Sequence, residues 1–202
     1  MRFILITPPG SVEGEHVLIT RMFENGLPLL HLRKPGCDDD FMSAYLSRIP
    51  LEFHKRIVIH SCYELTQDFN LRGLHITGSN ILNKNGIICR YKNKEGFTVS
   101  ISYHTLEELD NNDPGIDYIF LSPLFDSISK KNYKARFNSI ELTGALKRSR
   151  IDVVALGGLR LTNMYEVKGQ GFKGMAFLGA VWEADDPLKS YLAIQEKLLN
   201  MI

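Results

Sequence analysis

Short uninterrupted apolar runs recur along the chain. Phe3–Ile6 is the first, closed by Thr7 and Pro8-Pro9. Leu29–Arg33, Arg56–His60, Gly73–Ile76, Phe97–Ser102, Asp117–Ser122, Asp152–Leu156 and Gly174–Leu178 follow. Most lack strict alternation, which suits strands buried on both faces, as in parallel sheets. The second run does alternate: Leu30 and Leu32 point one way, His31 and Arg33 the other. Leucines facing helices, and polar groups facing inward, would produce that pattern.

Helical spacing fills most of the gaps. Leu18, Ile19, Met22 and Phe23 share a face that Gly26 stops. Phe41, Met42, Tyr45, Leu46 and Ile49 do the same after Asp38 and stop at Pro50. A short helix is expected from Tyr63 to Phe69, and a further one after the Thr105-Leu106-Glu107-Glu108 capping box. Leu142, Ala145 and Leu146 mark the next, and Thr162 is placed to cap one carrying Tyr165 and Val167. Asp186-Pro187 opens the last, with Leu188, Tyr191, Leu192, Leu198 and Leu199 on its apolar face. Thr77–Gly96 carries no clear helix; Ile87–Tyr91 reads as an extra strand, and the basic residues around it as a solvated hairpin or an anion-attracting patch. Pro123–Asn138 is a long polar loop, the kind that serves as a lid or stays disordered.

Eight strand candidates alternating with helices predict an α/β protein, a single (β/α)8 TIM barrel spanning 1–202 as one domain. A doubly wound open sheet is the alternative. It would need fewer strands, and the Gly-x-Gly-x-x-Gly turn after the first strand is absent.

Composition removes several function classes. The net charge of +1 gives no pull toward nucleic acid or an anionic membrane. Cys37, Cys62 and Cys89 are odd in number and form no Cys-x-x-Cys, which fits a reducing compartment better than a disulfide framework. The apolar run before Pro8 is too short for a signal-peptide core, and no stretch reaches the length of a membrane span. A cytoplasmic protein is expected.

The polar residues gather where such a barrel builds its sites, at the carboxyl ends of the strands. His31, His60, His75 and His104 lie there, with Arg33, Ser102 and Ser122. His75 reads as a satisfied histidine within a strand. The seventh run ends in Gly157-Gly158 and the eighth in Gly179-Ala180. Such glycines either make tight strand-to-helix turns or let backbone amides approach a phosphate. Ser127, Ser129, Lys130 and Lys131 of the long loop could close over such a ligand. His31, His60 and His104 lack the spacing of a known metal motif, and no metal site is assigned to them.

Three stretches resemble the thiamine phosphate synthase/TenI family: Leu29–Lys34, Ser122-Pro123-Leu124-Phe125 with Ser127-Ile128-Ser129-Lys130, and Val153–Leu159. The likeness runs over nearly the whole chain. It implies a (β/α)8 barrel. The family's synthases join a pyrimidine diphosphate to a phosphorylated thiazole with Mg²⁺, releasing pyrophosphate; the TenI branch binds thiazole phosphates, and some members are aromatising tautomerases. By position, the resemblance gives the thiazole phosphate to Gly157, Gly158, Gly179 and Ala180. It gives thiazole and pyrophosphate contacts to Ser127, Ser129 and Lys130, pyrophosphate to Arg33, and the reacting diphosphate region to Ser102. The synthases' Asn-Asp after strand three is His60-Ser61 here, and their second metal carboxylate has Asn80 nearest to it. Mg²⁺ prefers carboxylate oxygen, so it is expected only if the chain acts as a synthase. His31 agrees with TenI-type members, whereas Pro123 stands where their second catalytic histidine falls.

Three functions compete. The first is a TenI-like enzyme that binds or converts a phosphorylated thiazole in thiamine biosynthesis, with His31, His60 or His104 moving the proton. The second is thiamine phosphate synthesis itself. The third is a non-catalytic barrel that binds thiazole or thiamine phosphate as a regulator. The family's site lies within one barrel, so a homo-oligomer is possible but not required.

Overall fold

The computed structural model describes residues 1–92, 95–111, 113–125 and 137–201. In chain order its elements are β1 (Arg2–Ile6), α1 (Glu15–Glu24), β2 (Leu30–Leu32), α2 (Asp39–Leu46), β3 (Ile57–Ile59), α3 (Leu65–Asp68), β4 (Gly73–Ile76), α4 (Lys84–Tyr91), β5 (Thr98–Tyr103), β6 (Tyr118–Leu121), α5 (Ser139–Arg148), β7 (Asp152–Leu156), α6 (Met164–Gln170), β8 (Gly174–Phe177), α7 (Gly179–Trp182) and α8 (Pro187–Leu199). Each strand pairs in parallel with its sequence neighbour, and β8 closes on β1, making a (β/α)8 barrel. No described helix is long and apolar enough to cross a membrane.

Side chains leave each strand alternately for two cores. Leu30 and Leu32 of β2, Ile57 and Ile59 of β3, and Leu74 and Ile76 of β4 join the large cluster under the helices. Ile4, Ile6, Val58, Tyr118, Phe120, Val154 and Ala176 fill a smaller cluster, from the alternate positions of their strands. Because both faces are buried, most strands read as continuous apolar runs. His31 has the opposite orientation from its leucine neighbours, as the alternation indicated, and its ring packs on Tyr118 and Phe120.

The weak stretch is resolved differently from either expectation. Gly78–Asn83 is a 3₁₀ turn, and Lys84–Tyr91 is helix α4 rather than a strand or hairpin. Its buried anchor is Ile87, too little apolar surface to show as a helical stripe. Three of the basic residues there pair with carboxylates. Lys84 meets Asp113 at 2.6 Å, Arg90 meets Glu64 at 2.7 Å, and Lys92 pairs with Asp117. The capping box forms as expected, with Thr105 N–H donating to Glu108 Oε2 and Glu108 N–H to Thr105 Oγ1, but it opens a 3₁₀ turn over Glu107–Asp110. Thr162 caps nothing. It lies inside a 3₁₀ turn whose entry is secured by Asn163 Oδ1, which accepts from Arg160 N–H at 2.9 Å. At α8, Asp186 accepts from Lys189 N–H at 3.0 Å with Pro187 in the first turn.

One buried ion pair fixes the β1–α1 connection beside the barrel mouth. Lys34 Nζ lies 2.8 Å from Glu15 Oε2, with both side chains about 5% exposed. Lys34 also donates to the carbonyls of Pro8 and Gly10, and Tyr45 donates to Glu15 Oε1. Removing one partner leaves a buried charge unpaired. Glu15→Gln is therefore expected to cost about 3–5 kcal/mol in urea denaturation. The double variant Glu15→Gln/Lys34→Met should recover much of that loss; equal loss in both would show that the pair is not what holds this connection.

Candidate functional site

Three imidazoles and a phenol form a layer across the barrel. His31 Nδ1 lies 2.9 Å from His60 Nε2, and His31 Nε2 lies 2.6 Å from Tyr118 Oη. His75 Nδ1 meets Ser100 Oγ at 2.9 Å, and its Nε2 meets Ser102 Oγ at 3.0 Å. The rings of His60 and His75 stack with centroids 4.3 Å apart. The strands explain this gathering: β2, β3 and β4 are consecutive neighbours, and each brings one histidine to the barrel's carboxyl end.

Burial keeps the layer uncharged. Desolvation is the largest cause that lowers His31 and His60 well below the ordinary histidine value, and His75 adds to both. His75 is lowered to about 3, by burial first and then by the Arg33 charge. Burial raises the Tyr118 hydroxyl in turn. At neutral pH all four are neutral donors and acceptors.

Above the layer opens a cavity of about 340 Å³. His60, His75, Ser102, His104 and Arg33 border one side, and Gly157, Gly158 and Gly179 another. Thr7 holds the Arg33 backbone on both sides, accepting from its N–H at 2.8 Å and donating to its carbonyl at 3.1 Å. The Arg33 guanidinium has no hydrogen-bond or ion-pair partner among the described residues. Gly157 and Gly158 have φ of 95° and 66°, which favour glycine. A Cβ on Gly157 would also sit 2.9 Å from Pro123 Cα. Trp182 Nε1–H donates to the Ile6 carbonyl at 2.8 Å and fixes the turn that carries Gly179. The amides of Gly157, Gly158 and Gly179 donate to no acceptor among the described residues.

His104 differs from the buried three. It is exposed, and its Nδ1 lies 2.8 Å from the Ser122 carbonyl. A carbonyl only accepts, so Nδ1 carries a proton. Among the described residues the site thus combines the Arg33 cation, the amides of Gly157, Gly158 and Gly179, two neutral imidazoles and the exposed His104. That suits an anionic, hydrogen-bonding ligand.

The cavity's donors do not fit Mg²⁺, since no carboxylate borders it among the described residues. The described residues spaced for a metal are His31, His60 and His75, whose ligand atoms lie within 4.8 Å of one another. Imidazole suits a borderline ion such as Zn²⁺. Both ring nitrogens of His31 and of His75 are already hydrogen-bonded, so an ion would have to displace their partners.

The expected residues separate into three groups. Arg33, Ser102, His60, His104, Gly157, Gly158 and Gly179 border the cavity, and His31 lies buried behind His60. Ala180 does not border it; its carbonyl accepts from Ser190 Oγ. Ser127, Ser129 and Lys130 lie outside the described residues. His75 is satisfied within its strand, as expected, and borders the cavity as well. Tyr118 went unnoticed in the sequence, although the alternation of Tyr118 and Phe120 with Ile119 and Leu121 places it inside.

The family model described as thiamine monophosphate synthase matches residues 3–181. A thiamine-phosphate synthase of Methanocella arvoryzae is 28% identical over 192 residues, covering 90% of this chain and 87% of that protein. One from Latilactobacillus sakei is 28% identical over 134 residues, and the match spans 58% of its length. The crystal structure of thiamine phosphate pyrophosphorylase from Bacteroides thetaiotaomicron superposes with a TM-score of 0.79 at 32% identity, covering 98% of each chain.

The neutral layer makes stability depend on pH. Between about 3 and the ordinary value of 6.5, folded His75 binds fewer protons than it does unfolded. Its contribution is therefore complete above pH 6.5 and is lost as pH falls through that window. At pH 5 the loss from this one residue is about 2 kcal/mol. His75→Gln should shrink the difference in unfolding free energy between pH 7 and pH 5 by about that amount. An unchanged difference would mean that His75 is not held neutral.

Proposed function

The chain belongs to the thiamine monophosphate synthase family, and from that premise we propose that it takes a phosphorylated thiazole into the barrel mouth and moves a proton on it, in the manner of the TenI-like branch. The observation that carries this reading is the pairing of a carboxylate-free cavity with an imidazole layer held neutral beneath it. A diphosphate–Mg²⁺ complex asks for carboxylates at this place; a proton shift on a monophosphorylated ring asks for a base, a neutral hydrogen-bonding floor and a phosphate seat.

Each residue then has a role. The amides after β7 and β8, at Gly157, Gly158 and Gly179, hold the phosphate, helped by the Arg33 fork. His104, with its proton fixed on Nδ1, takes the substrate proton at Nε2. His60 offers the ring a neutral polar contact, and His31 and Tyr118 behind it fix its orientation. Ser102 reaches the site already bonded to His75. Ser127, Ser129 and Lys130 would cover the phosphate, on the strength of the sequence resemblance alone.

One observation favours a second reading, thiamine phosphate synthesis. The relative from Bacteroides thetaiotaomicron, at 32% identity over 98% of both chains, is titled a thiamine phosphate pyrophosphorylase. On that reading Arg33 and the free amides would stabilise the departing pyrophosphate.

Calorimetric titration with thiazole phosphate and with thiamine phosphate, each with and without Mg²⁺, separates the readings. Mg²⁺-independent binding of thiazole phosphate is expected. Thiamine phosphate formation from the two synthase substrates under saturating Mg²⁺ would overturn the first reading in favour of the second, and tight binding without turnover would make the chain a binder. His104→Gln should lower tautomerase turnover about 100-fold or more with KM nearly unchanged. Arg33→Met should instead weaken thiazole phosphate binding about tenfold or more. Full turnover in His104→Gln would remove it from the proton transfer.

A further inference from the structure

Two thiols meet on the connections that follow β2 and β3. Cys37 lies on the connection from β2 to α2, four residues past Arg33, and Cys62 lies two residues past His60. Their Sγ atoms are 3.9 Å apart, although 25 positions separate them in the chain. Cys62 Sγ also lies 3.8 Å from the Cys37 carbonyl, and Ser61 Oγ sits 3.6 Å from Cys37 Sγ. Neither cysteine belongs to a strand or helix, so the sulfurs can close to bonding distance without breaking the barrel ladder.

Backbone conformation marks the same place. Cys62 has φ of 56°, the one positive value at a non-glycine residue among the described residues. A side chain adopts that region at a cost, and such residues persist where their surroundings hold them. Both thiols are half-buried, which leaves them reachable by a small reagent.

We propose that Cys37 and Cys62 are a reversible thiol–disulfide pair between the connections that follow β2 and β3, oxidised by a small disulfide of the glutathione class. Cys37, as thiolate, attacks one sulfur of the small disulfide. That S–S bond breaks and the first small thiolate leaves. Cys62 then attacks the Cys37 sulfur of the mixed disulfide, and the second small thiolate leaves. Two protein thiols lose two electrons in total, the small disulfide gains them, and the two departing thiolates take up the two protons. Burial, with a hydrogen bond to Asp39, pushes the Cys62 thiol up to about 12. Cys62 is accordingly the slow, resolving member and Cys37 the entry point. The bond would join the segment after Arg33 to the segment after His60, two residues that border the cavity.

The test is peptide mapping of the intact folded chain after equilibration with excess oxidised glutathione. In the wild type, fragments carrying Cys37 and Cys62 should be found joined, and a dithiol reductant should separate them. Cys62→Ser removes the resolving thiol, so glutathione should accumulate on Cys37 to about tenfold or more above the wild-type level. Equal glutathione on Cys37 in both proteins with no joined fragment would overturn the proposal. So would the absence of reaction at both cysteines, or joining only after denaturation.

Discussion

The hydrogen bond from His31 to Tyr118 and its continuation to His60 set the terms for the rest of the barrel. A strand that places a histidine in a closed, apolar interior must leave it neutral and give both ring nitrogens partners. β6 supplies one partner through Tyr118, and β3 supplies the other through His60. Arg2 lies over the far face of Tyr118, 4.8 Å from the ring centroid, so a polar column runs from the strand beginnings toward the mouth. Ile4, Ile6, Val58, Phe120 and Val154 surround it. The column leaves neutral imidazole, not charge, facing the cavity.

That arrangement determines which ligands the mouth favours. With no carboxylate on the described walls, the charged contribution there comes from Arg33. The free amides on the opposite wall add partial positive charge. An anion gains from both and meets no repulsion from the floor, since the histidines there are neutral at the pH of use. His104 is set apart from the buried three by its exposure.

Much of this was legible in the chain. The alternation of His31 and Arg33 with leucines gave their inward direction, because strand geometry leaves side chains only two choices. Gly157-Gly158 after β7 and Gly179 after β8 marked the amide-rich wall. Other features were hidden for physical reasons. Helix α4 buries little beyond Ile87, so no periodic stripe announced it, and its lysines and arginine find their carboxylates far away in sequence. His75 read as a satisfied histidine and is one, bonded to Ser100 and Ser102 of β5, but its place on the cavity wall was not visible in the sequence. The meeting of His31 with Tyr118, 87 positions away, depends on barrel closure, which no local pattern encodes. The contact of Cys37 with Cys62 is hidden in the same way.

The central claim is that the imidazole layer is neutral. The most direct measurement is the nitrogen NMR spectrum of the histidine rings, assigned by single substitutions and followed from pH 7.5 to 5. The account predicts that His31, His60 and His75 each keep one protonated and one unprotonated ring nitrogen throughout, while the folded state persists. A signal from any of the three moving to the imidazolium position near pH 6 would contradict it.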